Sequence, residues 1–322
     1  MALHVIVGKG PVGTTTAALI AGRGHRVRVL SRSGGVSTDA VEHRRVDAAD
    51  AGALAAAAQG ADALYNAVNP AYHRWATDWP PMAAALLTAA ERTGAVLVTM
   101  GNLYVYGSPT GPMSPDTPLA ATDLKGRIRI GMWADALAAH EAGRVRVTEA
   151  RAADFVGPQV PAAHSHLVRQ LPTLRRGRTA WVVGDPDVPR SWAYLPDVAS
   201  TLVALATDER AWGRAWHVPS APPRSQRQAL TDLAAAVGGP PARVRGVPWP
   251  VLRAVGLVSP VMREVVDVRH QFDRPYVTDA SATTAAFGLT PTPWDEVVAA
   301  TAGAVRRPPE LPCVKPLLRR PG

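Results

Sequence analysis

The chain has 322 residues, of which 47% are hydrophobic, and a formal net charge of +9. This length and apolar content allow a large buried core, so disorder is not expected. No apolar run reaches the ~20 residues of a membrane-spanning helix, and the chain opens on a predicted strand rather than a signal peptide. The single cysteine, Cys313, excludes an intrachain disulfide framework and a multi-cysteine zinc site. We expect a cytoplasmic protein with no membrane partner.

The positive charge comes mainly from arginines spread along the chain, because Lys occurs only at positions 9, 125 and 315. A basic domain can bind nucleic acid, but no nucleic-acid-reading motif accompanies these arginines. A basic cleft equally suits an anionic cofactor or substrate. We therefore expect a small-molecule substrate and no nucleic-acid partner. The sequence leaves the oligomeric state open, with a homodimer among the options.

The first elements have the order strand, glycine turn, helix, strand. They are predicted over Leu3–Val7, Gly8–Gly13, Thr14–Ala21 and Val27–Leu30. The turn has the spacing G-x-G-x-x-G, and its position between a strand and a helix is what a dinucleotide site requires.

Each glycine of this turn has a physical role. Gly8 permits the tight turn out of the strand, Gly10 lets the backbone approach a pyrophosphate, and Gly13 lets the helix pack on the strand. Pro11 and Val12 complete the turn, and the helix N-terminus offers free N–H groups and a positive dipole end to the phosphates. The sequence predicts that a dinucleotide binds here.

The residues at the end of the second predicted strand indicate which dinucleotide binds. An acidic residue there accepts a hydrogen bond from the ribose 2′-hydroxyl of NAD, whereas an arginine accommodates the 2′-phosphate of NADP. This chain has Ser31 and Arg32, and no acid before Asp39. The pattern favours NADP over NAD.

Strands and helices then alternate as far as residue 151. They are predicted over Val41–Asp47, Ala48–Ala58, Ala61–Val68, Pro80–Thr93, Ala95–Met100, Thr122–His140 and Val145–Arg151. This alternation predicts an α/β, Rossmann-like doubly wound parallel sheet. Ligands bind at the carboxyl edge of such a sheet. Further cofactor contacts are predicted there at Asp47, Ala67, Val68, Asn69 and Thr99, and substrate contacts just beyond at Tyr72 and Trp75.

Past residue 155 the alternation stops. The predicted elements are a basic helix over Leu167–Arg178, short strands over Trp181–Val183 and Trp216–Val218, a helix over Pro196–Thr207, and helices with proline breaks from Pro222 to Arg307. We predict a nucleotide domain over 1–155 with returning segments in 181–218. A smaller, mostly helical substrate lobe takes 156–180 and 219–307, and a Pro-rich tail takes 308–322.

Three segments carry a family resemblance. They are VLVTMGNLYVYG (residues 96–107), EARAADFVGP (149–158) and RSWAYLPDVA (190–199). They are similar to Ser-Ser-x-x-Val-Tyr-Gly, Arg-x-x-Asn-x-x-Gly-Pro and Arg-x-Phe-x-Tyr-Val-x-Asp-Val-Ala in the NAD(P)-dependent epimerase/dehydratase family, the extended short-chain dehydrogenases. The resemblance implies the Rossmann-like fold and a nicotinamide cofactor.

The chain departs from this family at the positions of the catalytic residues. The family's catalytic Ser or Thr falls at Asn102. Its Tyr-x-x-x-Lys motif is missing, and no tyrosine occurs between Gly107 and Tyr194. The best local match is Lys125-x-x-x-Arg129. The chain therefore resembles an atypical branch of the family.

In the family, the tyrosine is the general acid/base, the lysine lowers its pKa and holds the nicotinamide ribose, and the Ser or Thr polarises the substrate carbonyl. Hydride transfer needs these roles because the developing alkoxide must be stabilised and protonated. Replacement candidates are Lys125, Tyr104 and Tyr106 as acid/base and Asn102 as oxyanion donor. Lys125 is also a candidate for contact with the cofactor.

The resemblance also suggests substrate contacts. Asp154 occupies the family's substrate-facing Asn position, and Arg190 and Tyr194 lie on its phosphate- or substrate-facing segment. His164 and His166 fall where the family builds its substrate pocket. His-x-His without partner ligands is weak support for a metal, and we predict none.

These observations predict an NADP(H)-dependent oxidoreductase or epimerase/dehydratase-like enzyme for a small organic substrate, with specialised metabolism as one setting. Two alternatives stay open. One is a redox-neutral isomerase or cyclase on the same fold, and the other is a non-catalytic NADP-binding regulator.

Overall fold

The structure, a computed structural model, describes residues 1–306, so the predicted Pro-rich tail over 308–322 lies outside the described residues. Its strands are β1 (Leu3–Val7), β2 (Arg26–Ser31), β3 (Val41–Arg45), β4 (Ala63–Asn66), β5 (Val96–Asn102), β6 (Val147–Ala152), β7 (Asp154–Val156), β8 (Ala180–Val183), β9 (Pro189–Arg190), β10 (Trp192–Tyr194), β11 (Ala215–His217), β12 (Arg224–Ser225) and β13 (Val244–Val247). Its α-helices are α1 (Pro11–Gly22), α2 (Ala51–Ala57), α3 (Trp75–Thr93), α4 (Leu124–Glu141), α5 (Leu171–Arg175), α6 (Leu195–Thr207), α7 (Gln226–Ala236), α8 (Trp249–Gly256), α9 (Pro260–Asp267), α10 (His270–Asp273), α11 (Ser281–Phe287) and α12 (Trp294–Arg306).

Seven strands form one parallel sheet in the order β3-β2-β1-β4-β5-β6-β11. The order reverses beside β1, and ligands of doubly wound sheets bind at such a switch point, outside the carboxyl ends of the strands. Helices α1 and α6 pack beside each other, as do α2, α3 and α4. The predicted Rossmann-like fold is confirmed.

Both faces of the central strands of this sheet are buried, which explains the nearly continuous apolar sequence of β1. In β1, all five residues are buried. Ile6 packs in a core with residues of α1 and α6, whereas Val5 and Val7 pack in a second core with residues of α2, α3 and α4. Alternate residues of one strand therefore serve different cores, as the two-residue period of a strand requires.

Helix α3 begins at Trp75, five residues before the predicted start at Pro80. Pro80 and Pro81 lie inside the helix and cannot donate to the carbonyls one turn earlier. Those carbonyls belong to Ala76 and Thr77, which are exposed and can bind water. Burial of Trp75 and Trp79 holds this first turn in place, so packing overrides the proline signal.

The C-terminal part differs more from the prediction. Val244–Val247 was predicted to be helical, but it forms β13 and pairs in parallel with β8, so that prediction was wrong. The predicted helix over Leu167–Arg178 shrinks to the five-residue α5, because Pro172 lies at its start and Gly177 adopts a left-handed conformation (φ +61°) after its end.

The predicted short strand near Trp216 belongs to the central sheet, as β11 beside β6. A separate core lies among α5, α7, α12 and the β8–β13 pair. The division into a nucleotide domain and a substrate lobe stays a prediction. Over residues 1–306, no helix is both long and apolar enough to cross a membrane.

Candidate active site

The glycine turn has the close backbone packing that its spacing predicts. Gly8 has φ +112°, and a Cβ there would lie 2.5 Å from the Ala67 carbonyl oxygen. A Cβ on Gly13 would lie 1.9 Å from the Gly8 carbonyl oxygen. Any side chain at either position would push β1, β4 and α1 apart.

Gly10 is different, because a Cβ there would meet nothing within 4 Å. It is the N-cap of α1, with no side-chain cap hydrogen bond, and Pro11 follows at the first helical position. The first turn of α1 contains no acidic residue. Free N–H groups at a helix N-terminus beside open space suit a pyrophosphate, so this turn fits a dinucleotide.

The end of β2 is basic. The Ser31 hydroxyl and the Lys9 ammonium both donate to the Gly34 carbonyl oxygen, at 3.2 and 2.7 Å. Arg32 is exposed beyond this contact, and Arg45 pairs with Ser31 from β3. This end of the sheet therefore presents positive charge where the adenosine ribose of a dinucleotide would lie.

The other predicted cofactor contacts have varied surroundings. Asp47 is exposed, and its carboxylate accepts from the Ala49 N–H at 3.0 Å. Ala67, Val68 and Asn69 follow β4, beside Gly8. Thr99 lies within β5 and lines a cavity of about 570 Å³ between α3 and α4.

Several predicted catalytic and substrate residues meet beyond β4 and β5. The Tyr72 and Tyr104 hydroxyls are 3.2 Å apart. The Trp75 and Tyr104 rings stack with centroids 5.9 Å apart. The Lys125 ammonium lies 4.1 Å from the Tyr72 ring centroid. These contacts join three aromatic side chains around one ammonium group. We call this group the Lys125 cluster; its members are Tyr72, Trp75, Tyr104 and Lys125.

Lys125 is held in this cluster from two sides. It lies in the first turn of α4, where the Asp123 carboxylate caps the helix by accepting from the Gly126 N–H at 2.9 Å. Its side chain is only 3% exposed and forms an ion pair with Glu264 of α9. Helix α9 also packs on the turn Tyr72–Arg74. The C-terminal part of the chain thus supplies the counter-ion for this buried lysine.

Arg129 lies one turn further along α4. Its guanidinium stacks on Trp79 and Trp75, 4.3 and 4.8 Å from their ring centroids, and donates to the Met100 carbonyl oxygen at 3.3 Å. Its Nε has no partner among the described residues. Burial lowers the pKa of Arg129 to about 10, so the group is still charged at neutral pH.

A second ion pair adjoins the cluster. Asp154 of β7 pairs with Arg190 of β9, and the Arg190 side chain is 4% exposed. The Arg190 guanidinium is 5.1 Å from the ring centroids of both Trp192 and Phe272. The Tyr276 hydroxyl and the Arg190 Nε are buried without a partner among the described residues.

Burial controls the protonation of this region. It raises the pKa of Tyr104 to about 12 and raises those of Tyr72 and Tyr276 as well. Burial also lowers the pKa of His166 to about 4, so that the imidazole is neutral. All three phenols are therefore protonated at neutral pH and able to donate hydrogen bonds.

Two other candidates lie near the cluster. The Asn102 Oδ1 accepts from the Tyr104 N–H at 3.2 Å, which leaves the Asn102 amide NH₂ as its donor group. His166 stacks edge-on against Phe272, with ring centroids 5.3 Å apart. His164 is exposed, and Tyr194 packs with the separate core of α5, α7 and α12.

Tyr106 belongs to a different network. Its hydroxyl lies 2.6 Å from the His217 Nε2 and accepts from Arg151 at 2.8 Å, and Arg151 also pairs with Glu149. These side chains are buried within or beside the sheet. The two tyrosines of the Tyr-Val-Tyr-Gly turn thus separate: Tyr104 joins the Lys125 cluster and Tyr106 joins a buried structural network.

Sequence reasoning missed two members of the site, Glu264 and Tyr276. Neither lies in a family motif or follows a strand of the predicted sheet, so no signal in the sequence distinguished them. Among the described residues, no group of three or more His, Cys, Asp or Glu side chains could hold a metal ion.

The profile of the NAD dependent epimerase/dehydratase family matches residues 5–218. The chain belongs to this family. A comparison with curated proteins finds no match.

Solved structures share the fold over most of their length. A putative epimerase from Burkholderia cenocepacia has a TM-score of 0.77 at 19% identity, with 95% of this chain and 98% of the other covered. An NAD complex of dTDP-glucose 4,6-dehydratase from Bacillus anthracis has a TM-score of 0.78 at 14% identity, with 95% and 97% covered. A UDP-glucose complex of UDP-glucose 4-epimerase from Thermotoga maritima has a TM-score of 0.78 at 14% identity, with 94% and 98% covered. The chain is thus similar in fold to epimerases and dehydratases.

Proposed function

We propose that this protein is an NADP(H)-dependent oxidoreductase or epimerase/dehydratase-like enzyme that acts on a small organic substrate, with Lys125 as its general acid/base. One observation carries the proposal. The Lys125 ammonium is buried beside the phenols of Tyr72 and Tyr104, and Lys125 begins the best local match to the family's Tyr-x-x-x-Lys motif.

The bound cofactor would accept or supply the hydride. Side chains of the protein would transfer the proton and stabilise the negative charge on the substrate oxygen. Lys125 as ammonium donates a proton to an alkoxide, and as amine it accepts one from a hydroxyl. The Asn102 amide donates to the same oxygen and stabilises its negative charge. Arg129, whose Nε has no partner in the described part of the chain, suits the cofactor's ribose.

NADP is proposed over NAD on electrostatic grounds. Arg32 follows β2, with Lys9 and Arg45 nearby and no acid before Asp39. A 2′-phosphate adds negative charge that arginine binds through charge-assisted hydrogen bonds. Solved structures of similar fold carry NAD, so the proposed preference for NADP would distinguish this chain from them.

The test is Lys125→Met, which keeps most of the side-chain length and removes the ammonium. With a substrate found by following nicotinamide absorbance, we expect turnover to fall ~10²- to 10⁴-fold, the usual contribution of a general acid or base. NADP affinity should change little. Full turnover in this variant would contradict the assigned role. Arg127→Met, an exposed change on the same helix, is the control and should keep wild-type turnover.

A non-catalytic regulator is the second candidate. The Lys125–Glu264 ion pair favours it, because the ammonium group is already bound by a carboxylate of the chain. Such a regulator would bind NADP tightly and turn over no candidate substrate. Glu264→Gln distinguishes the two functions: it should alter the turnover of an enzyme and leave a regulator's NADP affinity unchanged.

A further inference from the structure

The cations beside the proposed substrate site are paired with carboxylates of the chain itself. Lys125 is 3% exposed and pairs with Glu264, and the Arg190 side chain is 4% exposed and pairs with Asp154. A buried charge needs an opposite charge or several hydrogen bonds to offset its lost hydration. These two cations already have such a partner before any ligand binds.

A diphosphate ligand would need cations that lack this compensation. Phosphates are recognised by arginine through paired, charge-assisted hydrogen bonds. Asp154 is paired with the Arg190 guanidinium, so a phosphate would have to displace this carboxylate, and its negative charge would repel the ligand. Arg129 is a further buried cation of this region, but it stacks on Trp75 and Trp79 and is proposed to contact the cofactor.

Aromatic rings flank the pair. Arg190 is flanked by the rings of Trp192 and Phe272. Two donors nearby, the Tyr276 hydroxyl and the Arg190 Nε, are buried and have no partner among residues 1–306. An uncharged oxygen of a hydroxyl or carbonyl group would satisfy them without bringing further charge into the site.

We propose that the substrate is an uncharged, largely apolar alcohol or carbonyl compound, and that the Asp154–Arg190 pair excludes diphosphate-linked substrates such as nucleotide sugars. This inference rests on the proposed function and names the substrate class of the same site. Asp154 and Arg190 are specificity-determining residues in this account, and neither takes part in proton transfer.

The experiment measures binding of uridine diphosphate and of uridine by calorimetry, in the presence of saturating NADP⁺ so that the glycine turn is blocked. For the wild type, we expect the diphosphate to bind no more tightly than the nucleoside. Asp154→Asn removes the carboxylate charge and keeps its size. It should bind uridine diphosphate at least about tenfold more tightly than the wild type does. The double variant Asp154→Asn/Arg190→Gln should lose this gain.

The matched control is Asp187→Asn, which breaks an exposed ion pair with Arg227 and should give no gain. Circular dichroism confirms folding, and Asp154→Ser replaces any Asp154→Asn protein that fails to fold. The proposal is overturned if wild-type protein binds the diphosphate at least about tenfold more tightly than uridine and loses this preference with Arg190→Gln. It is also overturned if neither Asp154 variant gains affinity.

Failure of the proposed function would look different. Lys125→Met would then keep full turnover, or the wild type would bind NADP and turn over no candidate substrate. The effect of Arg190 on uridine diphosphate binding would still be measured by the single and double variants. Only the Arg190-dependent part of the binding tests the substrate class.

Discussion

The glycine turn and the Lys125 cluster are built in different ways. The glycine turn is shaped by backbone: Gly8 and Gly13 leave no room for a side chain, and Gly10 leaves its space open. The Lys125 cluster is assembled from side chains of distant segments, since Lys125 and Glu264 are 139 positions apart in the chain. A site formed by the backbone of one short segment has a recognisable local sequence pattern. A site assembled from side chains of distant segments has almost none.

The largest expected effect is at Gly13. Gly13→Ala places a Cβ on the Gly8 carbonyl oxygen, so we expect the free energy of unfolding to fall by at least ~1–3 kcal/mol, as in overpacked cores, and NADP binding to be lost. Chemical denaturation and cofactor fluorescence measure the two effects.

Gly10→Ala is the paired control. Its Cβ meets no protein atom within 4 Å, so stability should be unchanged while NADP binding weakens. If Gly10→Ala binds NADP as tightly as wild type, the pyrophosphate does not pass this residue.

Arg32 gives the next effect. Arg32→Ser removes a cation from the predicted 2′-phosphate site. Hydrogen bonds to charged groups contribute ~1.5–3 kcal/mol, so NADP affinity should fall ~10- to 100-fold while NAD affinity stays within a few-fold of wild type. Titration of both cofactors checks this. Equal losses for the two would mean that Arg32 does not contact the 2′-phosphate.

The buried network around Tyr106 gives a pH dependence. Burial lowers the pKa of His217 to about 4 from an ordinary 6.5, so the folded protein holds this imidazole neutral. The unfolded chain binds the extra proton as the pH falls below 6.5, and stability is lost down to about pH 4. His217 should therefore contribute a loss of ~2 kcal/mol between pH 7 and pH 5.

His217→Gln should flatten the stability profile over this interval, measured by urea denaturation at both pH values. NADP affinity should stay unchanged, because this network is separate from the glycine turn. An unaltered profile in the variant would mean that other groups control the acid response.

The fold could be predicted from the sequence because the patterns that indicate strands and helices are local and repeated along the chain. Strand β1 has the predicted bounds, and the strand–helix alternation through residue 151 supplies six of the seven strands of the observed sheet. Errors arose where packing opposed local preference. Buried Trp75 and Trp79 extend α3 back across two prolines, and pairing with β8 draws Val244–Val247 into a strand.

The candidate site followed only in part. Tyr72, Trp75, Tyr104, Lys125, Asp154 and Arg190 were all named from sequence, and the structure brings them into two adjoining clusters. Their roles stay predictions. Glu264 and Tyr276 were missed because a side chain that completes a site from another segment has no sequence neighbour to mark it. The pairing of Asp154 with Arg190 likewise depends on β7 and β9 meeting in space.

The family profile ends at residue 218, whereas the counter-ion of the buried lysine lies at Glu264. This placement limits how the protein can be divided or recombined. A fragment that ends near residue 218 would leave a buried ammonium uncompensated, and a chimera with a relative's C-terminal segment would give Lys125 a new electrostatic setting. Changes in the C-terminal segment can therefore alter the charge environment of Lys125 while every residue matched by the family profile stays the same.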